Sequence, residues 1–365
     1  MNKKILILTN DIYGLICFRK EVVENIIKNN IVSIAIPVDQ RMDELQRLGI
    51  NLIATKNLCK RGTNPLTDIK LLREYLKIIK QTKPDIILTY TIKPNIYGGL
   101  AARLKKIPTI VNITGLGTAV ENPGWLQKVT VNLYKLAMKP AKRIFFQNSS
   151  NEAFFSKFKI KNNVHKLIPG SGVNLEHHSL QPYPDNDNPI KFLFMSRVMK
   201  EKGIEEFLEA AKYIKQNNAI KTEFHIIGAC EEDYKETLEK LQKEGIIYYH
   251  GRQNDVRRFI KNCHCLIHPS FYPEGMSNVI LENAAAGRPV ITTNRPGCRE
   301  AINDGETGYI IEPKNINDLI ITIEKFIRLS NEEKKQMGLK GRSKMEKEFN
   351  RNIVVQAYLE AIKNL

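Results

Sequence analysis

Short apolar, β-branched runs alternate with longer helical patterns along the whole chain, and the alternation breaks only once. In the first half the strand candidates are Lys4 to Thr9, Val32 to Pro37, Asn51 to Thr55, Asp85 to Tyr90, Thr109 to Thr114, Arg143 to Asn148 and Val164 to Pro169. Helical patterns lie between them, for example Thr67 to Thr82 and Trp125 to Ala141. This alternation predicts a parallel sheet with helices on both faces. The break is Gln181 to Pro189, where three prolines and four Asp or Asn residues fall in nine positions, a linker composition. The alternation then restarts with Ile190 to Ser196, Glu223 to Gly228, Ile246 to Gly251, Cys265 to Ser270, Val290 to Thr293 and Tyr309 to Glu312. The expected class is α/β: two doubly wound domains facing across a cleft, at 1–180 and 190–348, joined by linker 181–189. A closing helix, 349–365, is expected to pack back on the first domain.

A length of 365 residues agrees with two domains. No apolar run reaches the roughly 18 residues that span a bilayer. The opening run Met1 to Leu8 reads as a strand without a following cleavage site, so no signal peptide is expected. The six cysteines (17, 59, 230, 263, 265, 298) form no C-x-x-C pair, and Cys263 and Cys265 flank His264 without a second ligand pair for zinc. Reduced thiols and a cytoplasmic location are expected. The net charge of +17 is uneven: residues 1–180 hold 28 Lys and Arg against 12 Asp and Glu, the rest 28 against 27. A basic first half attracts nucleic acid, anionic lipid or a phosphorylated substrate.

Chemistry concentrates at predicted strand ends, where ligands of such sheets bind. Pro273 to Glu282 follows a strand and enters a helix through Gly275, so free backbone N–H groups there suit an anion. Glu274 and Glu282 lie about two turns apart, roughly 11 Å. Two carboxylates at that spacing match hydroxyls at opposite ends of a nucleotide sugar. Spacing alone also fits an ordinary helix start capped by Ser277. Arg197 and Lys202, after the first strand of the second domain, are two cations fit to hold a diphosphate as its bond to sugar breaks. Pro296-Gly297-Cys298-Arg299-Glu300 ends another strand. Asp11-Ile12-Tyr13-Gly14 followed by Phe18-Arg19 ends the first, with a glycine that lets backbone approach phosphate. A dinucleotide fingerprint is absent, which disfavours a nicotinamide oxidoreductase.

Together these segments resemble the retaining glycosyltransferases of family four, with the GT-B fold of two Rossmann-like domains. The order matches: a glycine turn, R-x-x-x-x-K-G, E-x7-E, then a P-G-x-x-E-like turn. The first domain resembles the subgroup acting on polyprenyl-diphosphate-linked sugars in capsule, O-antigen and glycan assembly, through Phe18-Arg19, Thr91 to Gly98 and Thr114-Gly115-Leu116-Gly117. The resemblance implies that Glu274 binds donor-sugar hydroxyls, with Gly275, Met276 and Ser277 near sugar and phosphate. Glu282 would bind ribose, Arg197 and Lys202 the diphosphate with Gly14 opposite, and Arg252 in the turn His250-Gly251-Arg252 would lie along the base. Arg19, Lys93, Asn95 and Gly115 are assigned to the acceptor side. Relatives often have a second glycine near Gly14 and a histidine near Gly115; this chain has neither.

The expected reaction is retaining transfer of a hexose or N-acetylhexosamine from a UDP-sugar to a lipid-linked or oligosaccharide acceptor, without cofactor or metal. The helix Trp125 to Ala141 is expected to bury Leu126, Val129, Leu133 and Leu136. Lys128, Lys135, Lys139 and Lys142 would form an opposite stripe that docks on anionic lipid at the inner face of the cytoplasmic membrane. The alternatives are a nucleotide-sugar epimerase of the same fold and a basic nucleic-acid-binding protein. No nucleic-acid motif is present, so no nucleic-acid partner is expected.

Overall fold

The computed structural model describes residues 2–58, 64–117, 120, 123–185 and 189–365. Cys59 and linker residues 186–188 lie outside the described residues. The chain divides into two compact units, Met1–Gly172 with Arg351–Leu365, and Val173–Asn350.

The first unit is built on a parallel sheet of β1 (Lys3–Leu8), β2 (Asn30–Pro37), β3 (Asn51–Thr55), β4 (Ile86–Tyr90), β5 (Thr109–Ile113), β6 (Ala141–Phe146) and β7 (His165–Leu167), in the order β3-β2-β1-β4-β5-β6-β7. The central strands are buried on both faces, as in Ile5 to Leu8 and Ile86 to Tyr90. A sheet covered on both sides requires such continuous apolar runs. Around it lie α1 (Ile12–Phe18), α2 (Lys20–Ile27), α3 (Pro65–Thr82), α4 (Trp125–Ala137) and α5 (Ser149–Lys157). Helix α3 shows why: the Asn64 side chain caps the Leu66 N–H at 3.0 Å, and Pro65 fixes the first turn. Leu71, Tyr75, Ile78 and Ile79 then bury one face, about 1.5–3 kcal/mol for each aliphatic side chain.

The closing helix, Arg351–Lys363, completes this core. Val354, Val355, Tyr358, Ala361 and Ile362 join Ile5, Ile7, Val22 and Ile26. Arg351 donates to both oxygens of Glu21 at 2.8 Å, and the Tyr358 hydroxyl accepts from Asn112 at 2.7 Å.

The second unit repeats the plan with β8 (Ile190–Met195), β9 (Thr222–Ile227), β10 (Tyr248–Tyr249), β11 (Cys265–His268), β12 (Val290–Thr293) and β13 (Gly308–Ile311), all parallel, in the order β10-β9-β8-β11-β12-β13. Its helices include α6 (Ile204–Asn217), α7 (Asn278–Ala285) and α8 (Asn331–Glu348). Phe192, Phe207, Phe224 and Phe326 form a ring cluster beneath α6. Helix α8 begins with a capping box, in which Ser330 and Glu333 each bind the other's backbone N–H. This unit begins at Val173, before the proline-rich segment. Val173 donates to Phe349, Arg342 donates to the His178 carbonyl at 3.0 Å, and Arg288, fully buried, donates to the Pro182 carbonyl at 2.7 Å.

Two sequence expectations are corrected. Helix α4 ends at Ala137, not Ala141, because Pro140 disfavours helical backbone just before it. Lys139 therefore sits in a turn and Lys142 on β6. The buried face is Thr130, Val131, Tyr134 and Ala137, whereas Val129 and Leu136 are exposed and Leu126 and Leu133 only partly covered. The Cys263-His264-Cys265 segment is core. Burial raises the Cys263 thiol to about 12, and the His264 Nδ1 accepts from the Lys191 N–H at 3.0 Å.

Candidate active site

In both sheets the strand order reverses between the first and fourth strands of the unit, β1/β4 and β8/β11. Ligands of open α/β sheets bind beyond the carboxyl ends of strands at such a switch point. In the second unit three loops meet there, after β8, β11 and β12. Phe271 N–H donates to the Glu201 carbonyl at 2.9 Å, and Ser277 N–H to the Gly297 carbonyl at 2.7 Å. Two glycines make these approaches possible. Gly203 has φ of 77°, and a Cβ there would lie 2.2 Å from the Pro269 carbonyl oxygen. Gly297 has φ of 87°, and a Cβ would lie 2.8 Å from both Glu274 Cβ and the Gly275 oxygen. Only glycine fits both the left-handed backbone and the contact.

The loops bring Arg197, Lys202 and Glu274 into one cluster. The buried Lys202 ammonium donates to the Glu274 carboxylate and lies 4.7 Å from the centre of the Tyr272 ring. The Arg197 guanidinium lies 5.6 Å from the same ring and donates to Glu231 at 2.9 Å. Tyr272 and Glu231 were not singled out in the sequence. Tyr272 directly precedes Pro273, so its position beside the motif was the available signal. Glu231 lies on the turn after β9 and carries no pattern of its own.

Ser277 occupies the N-cap position of α7, yet its side chain does not cap the helix. Its hydroxyl instead pairs with His268 Nε2 at 3.1 Å, on β11 beneath the loop. The positive end of α7 is thus left without a side-chain cap, at the strand edge where an anion would sit. His268 is fully buried; burial and then the nearby Lys202 charge push its pKa down to about 3, so the ring is neutral. Met276 is buried in the core below, and Gly275 lies against Gly297. Glu282, within α7, has the ring nitrogen of buried His178 at 4.0 Å. Arg252 is exposed in the turn after β10, whose Gly251 carbonyl accepts from Gly228 at 2.9 Å.

The first unit gathers its expected residues at the carboxyl edge of its own sheet, with mixed outcomes. Gly14 N–H is taken by the Asp11 carboxylate at 3.0 Å, so an internal carboxylate already caps α1. Arg19 is buried, its guanidinium 4.5 Å from the centre of the Tyr90 ring, and its Nη1 has no hydrogen-bond partner among the described residues. Lys93 pairs with Asp68 at 2.9 Å, and Asp68 also accepts from Tyr97 at 2.8 Å. Asn95 is buried and donates to the Asn112 carbonyl at 2.9 Å, a tie from the segment after β4 to strand β5. Gly115 has φ of 144° and Thr91 has φ of 68°, the latter a strained conformation for a β-branched residue. Among the described residues no three His, Cys, Asp or Glu side chains cluster as metal ligands. The chain has a single D-x-D triplet, Asp185-Asn186-Asp187, in the proline-rich segment.

Two sheets of this strand order, each with its loops at the switch point and the second carrying the cation–carboxylate cluster, define a GT-B glycosyltransferase. The chain matches the family model described as "Glycosyl transferase 4-like" over residues 4–148 and that described as "Glycosyl transferases group 1" over 178–344, and it is a glycosyltransferase assembled from these two domains. It is 29% identical over 346 residues to the N,N'-diacetylbacillosaminyl-diphospho-undecaprenol alpha-1,3-N-acetylgalactosaminyltransferase of Campylobacter jejuni, covering 90% of each chain. It is 28% identical over 295 residues to the Escherichia coli UDP-Gal:alpha-D-GlcNAc-diphosphoundecaprenol alpha-1,3-galactosyltransferase, covering 75% of this chain and 73% of that one. Among solved structures it superposes on Anabaena HepE in complex with UDP-glucose with a TM-score of 0.81 at 18% identity, covering both chains fully.

Proposed function

We propose that this glycosyltransferase moves a hexose or N-acetylhexosamine from a UDP-sugar onto a polyprenyl-diphosphate-linked sugar, with retention of anomeric configuration. The carrying observation is the cluster of Lys202, Glu274 and Arg197 around Tyr272, beside the uncapped start of α7. The diphosphate sits against Arg197, Lys202 and the α7 N-terminus, with Gly275, Met276 and Ser277 lining it. Glu274 accepts from sugar hydroxyls, Glu282 from ribose hydroxyls, and Arg252 lies along the base. The acceptor hydroxyl oxygen bonds to the anomeric carbon on the face that the diphosphate leaves. The carbon–oxygen bond to the diphosphate breaks, its electron pair stays on that oxygen, and the same oxygen takes the acceptor proton. Two fixed cations and a helix dipole stabilise the charge that develops there.

On the acceptor side, Arg19 is the best-supported residue, because a buried guanidinium nitrogen without a partner is costly unless an anion completes it. The acceptor diphosphate supplies that anion. The relatives named above act on diphosphoundecaprenol-linked sugars, which agrees with this reading. A membrane-borne acceptor implies peripheral contact with the cytoplasmic membrane surface; no helix among the described residues is long and apolar enough to cross a membrane.

The test is incubation with each UDP-sugar, with and without a short-chain polyprenyl-diphosphate-linked monosaccharide. Transfer of the sugar with release of UDP only when acceptor is present is expected. Free UDP and an altered sugar without acceptor would instead establish an epimerase, and no turnover of any UDP-sugar would overturn the donor assignment.

A further inference from the structure

The donor-side cations each meet a carboxylate, Lys202 with Glu274 and Arg197 with Glu231. Glu274 has a proposed task on the sugar; Glu231 has none. These four side chains sum to no net charge before a ligand arrives, although the proposed ligand brings a diphosphate. A carboxylate on Arg197 opposes that ligand, because it takes a guanidinium donor and cancels charge.

Exposed ion pairs usually join mobile side chains and contribute little. This one is held by backbone on both sides. The segment after β9 is zipped to the segment after β8. Val198 N–H donates to the Ala229 carbonyl at 2.8 Å, Glu231 N–H donates to the Val198 carbonyl at 3.2 Å, and Val198 and Cys230 form a parallel bridge. Gly228 opens the segment with φ of 147°, and a Cβ there would lie 1.7 Å from the Ser196 carbonyl oxygen. The Glu232 carboxylate accepts from the Lys200 N–H at 2.9 Å. The Tyr234 hydroxyl donates at 2.8 Å to Glu205, in the first turn of α6. Glu231 stands among these ties and accepts from Arg197 Nη1 at 2.9 Å. Arg197 keeps other N–H groups for phosphate oxygens.

The chemistry of the product gives a fixed carboxylate a use there. The diphosphate of a UDP-sugar carries about two negative charges. That of UDP carries about three at neutral pH, because breaking the bond to the sugar frees a terminal phosphate that ionises at about pH 6. A negative charge beside the site therefore disfavours the product more than the donor.

We propose that Glu231 is a positioning residue for Arg197 that also promotes product release: it holds the guanidinium in place while the site is empty, and its charge loosens UDP once the sugar has left. The inference rests on the donor reading above, in which Arg197 binds the diphosphate.

UDP binding to the full-length protein is measured by titration calorimetry. Glu231→Gln keeps an oxygen acceptor for Arg197 and removes the charge. It should tighten UDP about tenfold, the scale of one charge several ångströms away in a partly solvated site. KM for the UDP-sugar in the transfer reaction should fall by less than about threefold. Glu232→Gln removes an equal charge from the next residue, whose carboxylate holds the Lys200 N–H instead, and should leave UDP affinity within about threefold. In an Arg197→Ala background Glu231→Gln should gain less than about twofold, since its partner is gone. Glu231→Ala also removes the acceptor, and its kcat should fall about tenfold below that of Glu231→Gln as Arg197 loses its hold. Unchanged or weaker UDP binding in Glu231→Gln would show a merely structural carboxylate and overturn the proposal. Equal tightening by Glu232→Gln, an equal gain without Arg197, or equal tightening of UDP and UDP-sugar would overturn it too, and equal kcat in Glu231→Ala and Glu231→Gln would overturn the positioning role. Arg197→Ala alone tests the donor reading, under which it weakens UDP about tenfold or more. Unchanged binding there overturns that reading and this inference with it, whereas that loss without the gain in Glu231→Gln overturns this inference alone.

Discussion

The Lys202 ammonium and the Glu274 carboxylate, brought from the β8 and β11 loops, form an ion pair beside Tyr272. Their assigned partners lie at different parts of the donor, diphosphate for Lys202 and sugar hydroxyls for Glu274. The pairing reconciles the two roles. A lysine held by one carboxylate still has donors left for phosphate oxygens, and the carboxylate still has acceptor capacity for hydroxyls. Each group orients the other before the donor arrives.

Lys202→Ala should therefore cut kcat by about 10²- to 10³-fold, the loss typical of one preorganised donor at developing negative charge. Glu274→Gln keeps a hydroxyl acceptor but releases Lys202, and should lose a similar factor. The double variant should lose far less than the product of the two, because the residues act as a unit. Initial rates with saturating UDP-sugar and acceptor measure this. Full multiplicativity would show that the pair has no joint role.

Gly297→Ala forces a Cβ into the 2.8 Å approach to Glu274 Cβ and the Gly275 oxygen, at φ of 87°. The expected cost is about 1–3 kcal/mol in stability, with kcat/KM down by tenfold or more as Glu274 shifts. Gly305→Ala is the control. It has φ of 74° but nothing within 4 Å of the added carbon, so it should lose about 1 kcal/mol and keep its activity. Thermal melts and donor titrations distinguish strain from displacement of the site.

The strand pattern was legible because buried parallel strands are continuous apolar runs, and Ile5 to Leu8 or Phe192 to Met195 admit little else. The loop motifs were legible because Gly203 and Gly297 must be glycine for steric reasons that spacing preserves. What spacing could not show is which partner each polar group takes. Ser277 looks like a helix cap in sequence, but His268, nine positions earlier on β11, takes its hydroxyl. Lys93 is assigned to the acceptor side with no partner in the protein named, and Asp68, 25 positions away on α3, pairs with it. Helix α4 was misread for another reason. It has apolar residues on two faces, and periodicity cannot tell which one the sheet covers, so Tyr134 and Ala137 went inside while Val129 and Leu136 stayed out.

Glu282→Ala should act on binding rather than chemistry. Its carboxylate is partly covered beside His178 and stands inside α7, away from the bond that breaks. A lost hydrogen bond to a charged acceptor is worth about 1.5–3 kcal/mol. The UDP-sugar KM should rise about 10- to 100-fold while kcat at saturation stays within a factor of about three. A fall in kcat with unchanged KM would place Glu282 at the reacting centre instead of the ribose.

The neutral His268 ring makes stability depend on pH. Burial, and next the Lys202 charge, hold its folded-state pKa at about 3, against about 6.5 in an unfolded chain. Between those values the unfolded chain binds a proton that the folded one does not, so stability rises with pH across that window. The contribution is intact above about pH 6.5 and is lost progressively as pH falls toward 3. By pH 5 the loss from this one ring is on the order of 1–2 kcal/mol. His268→Gln has no such proton to bind. It costs stability at pH 7.5 because the contact with Ser277 is remade with a different shape. Its deficit relative to the parent protein should then shrink by that same 1–2 kcal/mol at pH 5. Urea unfolding of both proteins at the two pH values measures the gap. A gap that does not change with pH would mean that the folded ring takes up a proton as readily as the unfolded one, and at pH 5 the uncapped α7 terminus would then have a buried cation as its neighbour rather than a neutral ring.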